Sequence, residues 1–446
     1  MAIIKKTARL LKDSMGDIKQ PDRSKEAALL KPVEWPVTCT IDRGLEGAIA
    51  CETKIGYVNG AEGRLVYRGY DVFDLAAYST FEETAYLVIH GHLPNEQELA
   101  EFSKKLVAYR ELPKTTRTIS SLPLEQYTPM VALRMGLDAM RTIITKGAPP
   151  DRPPTPVDTD ADTVAEISAN GEQLEYKTRS NREDILNISY QIVAGLGTIT
   201  AAIARIRQGR LPIEPDPDLG YAANFLYMTT GQRPSKQAER LMDISLILHM
   251  DHGMNASTFA AMLVASTQSD MFHCVGAGMG ALSGPLHGGA NEEVIYMLEE
   301  IGGPENVEEW FAKARAEKRK IMGFGHRVYK TYDPRARVLK PLAELVTKDN
   351  PDITVLYETA LKLEETVVKE LGNEKRIFPN VDFYSGLIYK GLGFDPAMFT
   401  PIFAVSRVVG WVARCLEYLE NNRIFRPRAV YSGPIGNRYV NISERE

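Results

Sequence analysis

Residues 323–335 read Gly-Phe-Gly-His-Arg-Val-Tyr-Lys-Thr-Tyr-Asp-Pro-Arg. The stretch packs His326, Arg327, Lys330 and Arg335 together, with Arg337 just beyond. A run of cations is usually a solvated face. Here Gly323 and Gly325 precede the histidine and the turn-forming pair Asp333-Pro334 follows it, so an ordered loop is expected. Arginine offers a planar fork that matches carboxylates two bonds at a time, whereas lysine suits phosphate as a point charge.

Three further segments share that density of Gly, Pro, Asn and titratable groups. They are His-Met-Asp-His-Gly-Met-Asn (249–255), Gly-Pro-Leu-His-Gly-Gly-Ala-Asn (284–291) and Pro-Asn-Val-Asp-Phe-Tyr-Ser-Gly (379–386). Imidazoles that hold or pass a proton near neutral pH, plus a separate carboxylate, are the parts of acid–base catalysis.

Each has a plainer reading. Asp382 sits where a helix starts, a common place for an N-cap. His287, beside Gly288 and Gly289, could be a turn histidine or a donor to a carbonyl oxygen. Its segment lacks the Gly-Lys-Ser/Thr ending of a phosphate loop. His249 and His252, flanking Asp251, have a spacing that brings both near one helix face. They could hold a metal, but no second ligand cluster lies near in sequence. Arg407 falls inside the apolar run Ala-Val-Ser-Arg-Val-Val-Gly (404–410). A buried charge needs a partner, so it is either half of a structural salt bridge or a ligand for a carboxylate.

The composition is that of a soluble globular chain: 446 residues, 44% hydrophobic and 25% charged. That length could supply two or three domains and a large core without disulfides or metals. With 53 basic and 58 acidic residues, the net charge of −5 gives no general case for nucleic acid. The four cysteines are dispersed, without metal-like spacing, which fits free thiols in a reducing compartment. The first residues are basic without the apolar core of a secretory signal, so a solvated tail is expected, with a mitochondrial-type leader as the alternative. The apolar stretch 185–206 is interrupted by Asn187, Gln191, Thr198, Thr200 and Arg205, so it reads as a buried core helix and not a membrane span.

Along the chain, residues 1–40 read as an extension. Two β-rich runs within 47–70, separated by Asn-Gly-Ala-Glu-Gly, read as a hairpin. Helices dominate afterwards. Thr80 and Glu83 fit a capping box, with Gly91 and Pro94 as a stop. Asn95 to Glu98 opens the next helix, with Leu99, Phe102 and Leu106 on one face. Segments 235–249, 255–272, 307–320 and 396–420 also read as helices. Residues 147–184, rich in Pro, Asp, Glu and Ser, read as an exposed or disordered insertion.

Taken together, the four motifs resemble the citrate synthase family from about residue 45 onward, apart from that insertion. The resemblance implies a mainly helical two-domain fold with a short β-rich element near the N-terminus. Residues 41–287 and 389–446 would form a large domain and 288–388 a small one. It implies condensation of acetyl-CoA with oxaloacetate. Asp382 would take the methyl proton, His287 would hydrogen-bond the thioester oxygen and His326 would protonate the ketone oxygen. His252, Arg335 and Arg407 would hold oxaloacetate, with Arg426 reaching the partner subunit's site. Lys330, with Lys375 or Arg376, would meet coenzyme A phosphates.

The resemblance also implies no metal and no cofactor beyond the coenzyme A thioester as substrate. A homodimer or higher oligomer in the cytoplasm is expected, with neither nucleic acid nor membrane as partner. Two other activities remain open. 2-Methylcitrate synthases share these motifs and use propionyl-CoA, and one methylene is worth only about 1–3 kcal/mol in an apolar pocket. A non-catalytic binder of coenzyme A or carboxylates could keep the fold. A metal hydrolase built on His249, Asp251 and His252 is the remaining class.

Overall fold

The computed structural model describes residues 6–7, 9–10, 43–45, 47–144, 182–347, 350–427, 443 and 445. Most of the 1–40 extension lies outside the described residues. So does the 147–184 insertion up to residue 181. Residues 182–184 do not belong to a loop, because they open a long helix.

The hairpin is present. Strands β1 (Gly56–Asn59) and β2 (Arg64–Tyr67) pair antiparallel with Gly56 opposite Tyr67. The Asn59 side chain closes the turn by accepting from Ala61 N at 3.0 Å and Glu62 N at 3.1 Å. A short β3 (Tyr70–Asp71) extends the sheet beyond the two runs read from sequence.

Helices follow: α1 (Val72–Tyr78), α2 (Phe81–His90), α3 (Glu96–Tyr109), α4 (Pro113–Ser120) and α5 (Pro129–Ile144). The Thr80 cap forms, accepting from Glu83 N, but the Glu83 carboxylate takes the Ser79 hydroxyl at 2.7 Å instead of closing the box. The Asn95–Glu98 box is complete, and α3 buries Phe102 and Leu106. Then come α6 (Arg182–Arg207), α7 (Tyr221–Thr230), α8 (Lys236–His249), α9 (Ala256–Ser266) and α10 (Met271–Leu282). The single helix expected over 255–272 is thus an antiparallel pair. Gln268 turns the chain in the left-handed region at φ 61°, and the Asp270 side chain caps α10 by accepting from His273 N. The apolar composition runs through that break, so periodicity alone hides it.

The remaining long helices are α11 (Ala290–Ile301), α12 (Val307–Ala316), α13 (Pro334–Ala343), α14 (Pro351–Val367), α15 (Val381–Gly391) and α16 (Phe399–Glu420). Expectations for 307–320 and 396–420 shorten at one end. Lys318 is left-handed at φ 55°, and residues Pro396–Met398 form a 3-10 turn.

Helix α16 is the axle. It packs against α2, α6, α8, α9 and α10, and every residue from Phe399 to Cys415 is buried. Both α6 and α16 are long and apolar enough to cross a membrane, but each is wrapped by the rest of the chain. A helix apolar all round is stable in water only when buried this way, each large side chain contributing about 1.5–3 kcal/mol. Helices α11 to α15 form a second group, with α15 against α11 and α13, and α12 and α11 against α14. The groups meet where α13 touches α1 and α8 and where α11 touches α16.

One stripe of α16 breaks its apolar character. Arg407, Gly410, Trp411 and Arg414 recur at helical spacing on one face. Gly410 presses against the turn after α8, and a Cβ there would sit 2.4 Å from the Met250 carbonyl oxygen. That neighbour is backbone and cannot rotate away. Gly410→Ala is expected to cost about 1–3 kcal/mol of stability, the usual price of overpacking. Chemical denaturation would read this, and an unchanged midpoint would mean that the turn yields freely.

Candidate active site

The first wall of the site is the turn after α8. Met250 ends the helix, and Asp251 turns inward against α16. Its carboxylate takes Arg414 in a two-pronged pair, Nε to Oδ1 and Nη2 to Oδ2, both at 2.8 Å. It also accepts from Gly253 N at 3.1 Å, while the Tyr67 hydroxyl donates to the Asp251 carbonyl at 3.0 Å. Burial alone would raise the Asp251 pKa, but the Arg414 charge outweighs it and holds the carboxyl below the ordinary range. Asp251 is therefore fully engaged by protein groups, and among the described residues no three His, Cys, Asp or Glu cluster as a metal site would need.

His252 follows, buried, with Nε2 at 3.1 Å from the Tyr329 hydroxyl. Burial, with Arg335 adding to it, pushes its pKa well down, so the ring is neutral. His249 donates from Nδ1 to the Ser245 carbonyl at 2.7 Å, as a buried helix-end imidazole does. Arg407 Nε donates to the His249 carbonyl at 2.6 Å, its guanidinium lies 4.6 Å over the Phe403 ring, and Nη2 is buried without a partner. Arg407 pairs with no carboxylate among the described residues, so the salt-bridge reading fails and a cation remains to be met.

The second wall is a backbone strap. Gly323 and Gly325 adopt φ of 75° and 78°, a region that side chains resist, and at Gly323 a Cβ would meet Phe383 at 2.8 Å. Gly325 N donates to Phe378 O, Asn380 N to Gly323 O, and Asn380 Nδ2 to Gly325 O, each at 2.9 Å. The segments bearing His326 and Asp382 are thus tied to each other. Asp333 adds a second tie. It caps α13 at Arg335 N (2.9 Å), grips the Arg335 guanidinium at 3.0 and 2.8 Å, and accepts from Val381 N at 3.1 Å. Two of the Arg335 nitrogens are therefore spent inside the protein, on a carboxylate that holds its charge.

His326 Nδ1 accepts from Val328 N at 3.0 Å and Tyr329 N at 3.1 Å. A neutral ring in that setting carries its proton on Nε2. Burial, then Arg335, lowers its pKa to about 4. Asp382 is not the helix cap. Asn380 is, accepting from Asp382 N at 3.0 Å, which leaves the Asp382 carboxyl unclaimed in the first turn of α15. The residue is half-buried with protein dense around the carboxyl. Burial raises its pKa to about 6, with Arg335 opposing and Asp333 assisting.

His287 stands on the loop between α10 and α11, its backbone N–H donating to Gly284 O at 2.9 Å. Its Nε2 accepts from Ser257 N at 3.3 Å and lies 2.8 Å from Ser257 Oγ. With Nε2 an acceptor at the N-terminal turn of α9, the proton belongs on Nδ1. Burial, then Arg407, lowers the pKa to about 4. The charge of Arg407 is felt by His287, His252 and Asp382 alike, which brings these groups into one field.

The remaining cations lie farther out. Lys330 is exposed, its Nζ donating to Arg327 O at 3.2 Å and its backbone N to Gly60 O at 2.9 Å. Lys375 and Arg376 are exposed just before the strap segment. Arg426 bonds the Pro427 carbonyl at 3.3 Å, and no hydrogen bond or ion pair joins it to the other site residues among the described residues. Sequence reasoning missed Tyr329, Ser257, Trp411 and Arg414 and took Asp333 for a turn former. Only Tyr329 and Asp333 carried a signal, because they lie inside the quoted 323–335 stretch.

Comparison with known proteins finds relatives that span most of the chain. The family profile described as "Citrate synthase, C-terminal domain" matches residues 44–428. A citrate synthase of Deinococcus radiodurans is 40% identical over 91% of this chain and 99% of its own. Citrate synthase 2 of Bacillus subtilis is also 40% identical, over 91% of this chain and all (100%) of its own. The crystal structure of citrate synthase from Thermotoga maritima superposes with a TM-score of 0.75 at 40% identity, covering 91% of this chain and 100% of that one. The Thermoplasma acidophilum enzyme, in a ternary complex with carboxymethyl coenzyme A and oxaloacetate, gives 0.79 at 35% identity, with 91% and 100% covered. The chain belongs to the citrate synthase family.

Proposed function

We propose that the protein condenses acetyl-CoA with oxaloacetate and water to give citrate and coenzyme A. The observation that carries this is the Asp382 carboxyl, free of capping and raised to about 6, among imidazoles kept neutral near pH 7. A base of that strength is ionised at neutral pH yet more basic than an ordinary carboxylate. It removes a methyl proton from acetyl-CoA while His287 Nδ1–H donates a hydrogen bond to the thioester oxygen, and the enolate forms under that bond. The methylene carbon attacks the oxaloacetate ketone, the new carbon–carbon bond forms, and His326 Nε2–H gives its proton to the ketone oxygen. Water then cleaves the thioester of citryl-CoA, the sulfur leaving as the coenzyme A thiol.

Arg407 is the chief ligand for oxaloacetate carboxylates, because it is buried and pairs with no carboxylate among the described residues. His252 and the unspent nitrogen of Arg335 assist. Lys330, Lys375 and Arg376 meet the coenzyme A phosphates. In this reading residues 288–388 move as a small domain that carries His326 and Asp382 onto His252, His287 and Arg407 and excludes water. The protein acts as a homodimer in which Arg426 completes the partner's site. Leu263 and Ala256, both exposed on α9 two turns apart, and Gly280, exposed on α10, support an apolar face for a second copy.

Thiol release from acetyl-CoA and from propionyl-CoA, each with and without oxaloacetate, tests the activity. Oxaloacetate-dependent release favouring acetyl-CoA is expected. Preference for propionyl-CoA would reassign the acyl substrate, and no release from either would refute the proposal. Asp382→Ala should lower turnover by at least about a hundredfold while oxaloacetate still binds in calorimetry; near-normal turnover would remove Asp382 from the role of base. The pH profile follows from the same group. Asp382 must be ionised to act, so kcat/KM for acetyl-CoA should fall as pH drops through about 6. His287 and His326 stay neutral until about 4, so a limb at that lower value would assign the titration to them.

A further inference from the structure

We propose that Trp411 is a positioning residue for the condensation, acting through Ser257 to keep the His287 proton on Nδ1. This rests on the reading of His287 as the donor to the thioester oxygen. Trp411 lies fully buried on the polar stripe of α16, and its indole Nε1–H donates to Ser257 Oγ at 3.2 Å. The serine hydroxyl has one proton and two acceptors competing for it: Asn255 Oδ1 at 2.7 Å and His287 Nε2 at 2.8 Å. If the proton goes to Asn255, the serine oxygen can accept from His287, so the ring can place its proton on Nε2 and leave Nδ1 bare. If it goes to His287, Nδ1 carries the proton and can donate.

The surroundings favour the second arrangement. Asn255 Oδ1 is already satisfied as the α9 cap by Thr258 N at 3.0 Å. Ser257 N also points at His287 Nε2, at 3.3 Å, and two N–H groups facing each other there would repel. The indole N–H occupies one lone pair of Ser257 Oγ. It anchors the hydroxyl rotamer beside the imidazole and makes the O–H a stronger donor by polarising it. The indole has no other role to play in polar bonding, since it donates only and has one N–H. Its fit is tight as well: a Cβ on Gly278 would meet the ring at 2.9 Å.

The test uses the full chain in two forms, Trp411→Phe and a replacement of Trp411 alone by benzothienylalanine, which keeps the ring shape without the N–H. Thermal unfolding checks that each is folded, and the isostere carries the test if phenylalanine leaves a damaging cavity. The tautomer of His287 is read by nitrogen NMR on histidine-labelled protein, with its signal assigned by loss in His287→Asn. In the isostere, the Nδ1–H signature should give way to a mixture and kcat with acetyl-CoA should fall roughly five- to tenfold, the worth of one hydrogen bond. The KM for oxaloacetate should not change. An unchanged tautomer with unchanged kcat overturns the inference. A shifted tautomer with unchanged kcat supports the Trp411 relay but overturns the reading of His287 as the thioester donor.

Discussion

The ion pair between Asp251 and Arg414 is the constraint from which the site hangs. Both groups are buried, and two charges out of water hold only if geometry and hydrogen bonds are complete. Here the two prongs, the Gly253 amide and the Tyr67 hydroxyl on the adjoining carbonyl complete them. Removing one partner of such a pair typically costs about 3–5 kcal/mol. The turn so fixed presents the His249 carbonyl to Arg407, the His252 ring to Tyr329 and, through the Asn255 cap, the Ser257 hydroxyl to His287. Two of these contacts are anchored by one face of α16, where Arg407 bonds the His249 carbonyl and Trp411 bonds the Ser257 hydroxyl. An otherwise apolar helix thereby acts as the ruler of the site.

The electrostatic design separates protonation from charge. Arg335 and Arg407 surround the imidazoles with positive potential, and burial removes the water that would stabilise an imidazolium. The rings stay neutral, and a neutral imidazole has one N–H to donate. The nearby Asp382 feels both influences in opposite directions, and burial prevails. It becomes a stronger base without losing its charge at neutral pH. Arg335 is compensated by Asp333, whereas Arg407 pairs with no carboxylate among the described residues and keeps one buried nitrogen unbonded.

The strap between 323–325 and 378–380 solves a different problem. His326 and Asp382 are far apart in sequence and sit on different helical approaches. Two backbone hydrogen bonds and one from the Asn380 side chain hold their segments in register, and the Asp333 carboxylate ties the starts of α13 and α15 to each other. A movement of α11 to α15 as a body would carry both groups together and preserve their mutual geometry.

Features that depend on neighbours in sequence were legible from the residues. The hairpin turn at Asn59, the caps at Thr80 and Asn95 and the left-handed stop at Gly91 involve bonds spanning a few residues, so composition and spacing specify them. The four motif segments were legible for the same reason, because glycines and turn formers mark loops that must hold a special backbone. Roles that depend on distant partners were not. Whether Asp382 caps a helix or stands free is settled by Asn380, and whether Arg407 is a salt bridge is settled by Arg414, which takes the Asp251 carboxylate and leaves Arg407 paired with none among the described residues. The break between α9 and α10 hides in an apolar run because both helices bury the same kind of surface. Trp411 and Arg414 look like core and helix-end residues until folding brings them against Ser257 and Asp251, more than a hundred and fifty residues earlier. Local hydrogen bonding is written in adjacent residues, while protonation state and charge compensation are set by burial and by partners that only the tertiary structure brings together.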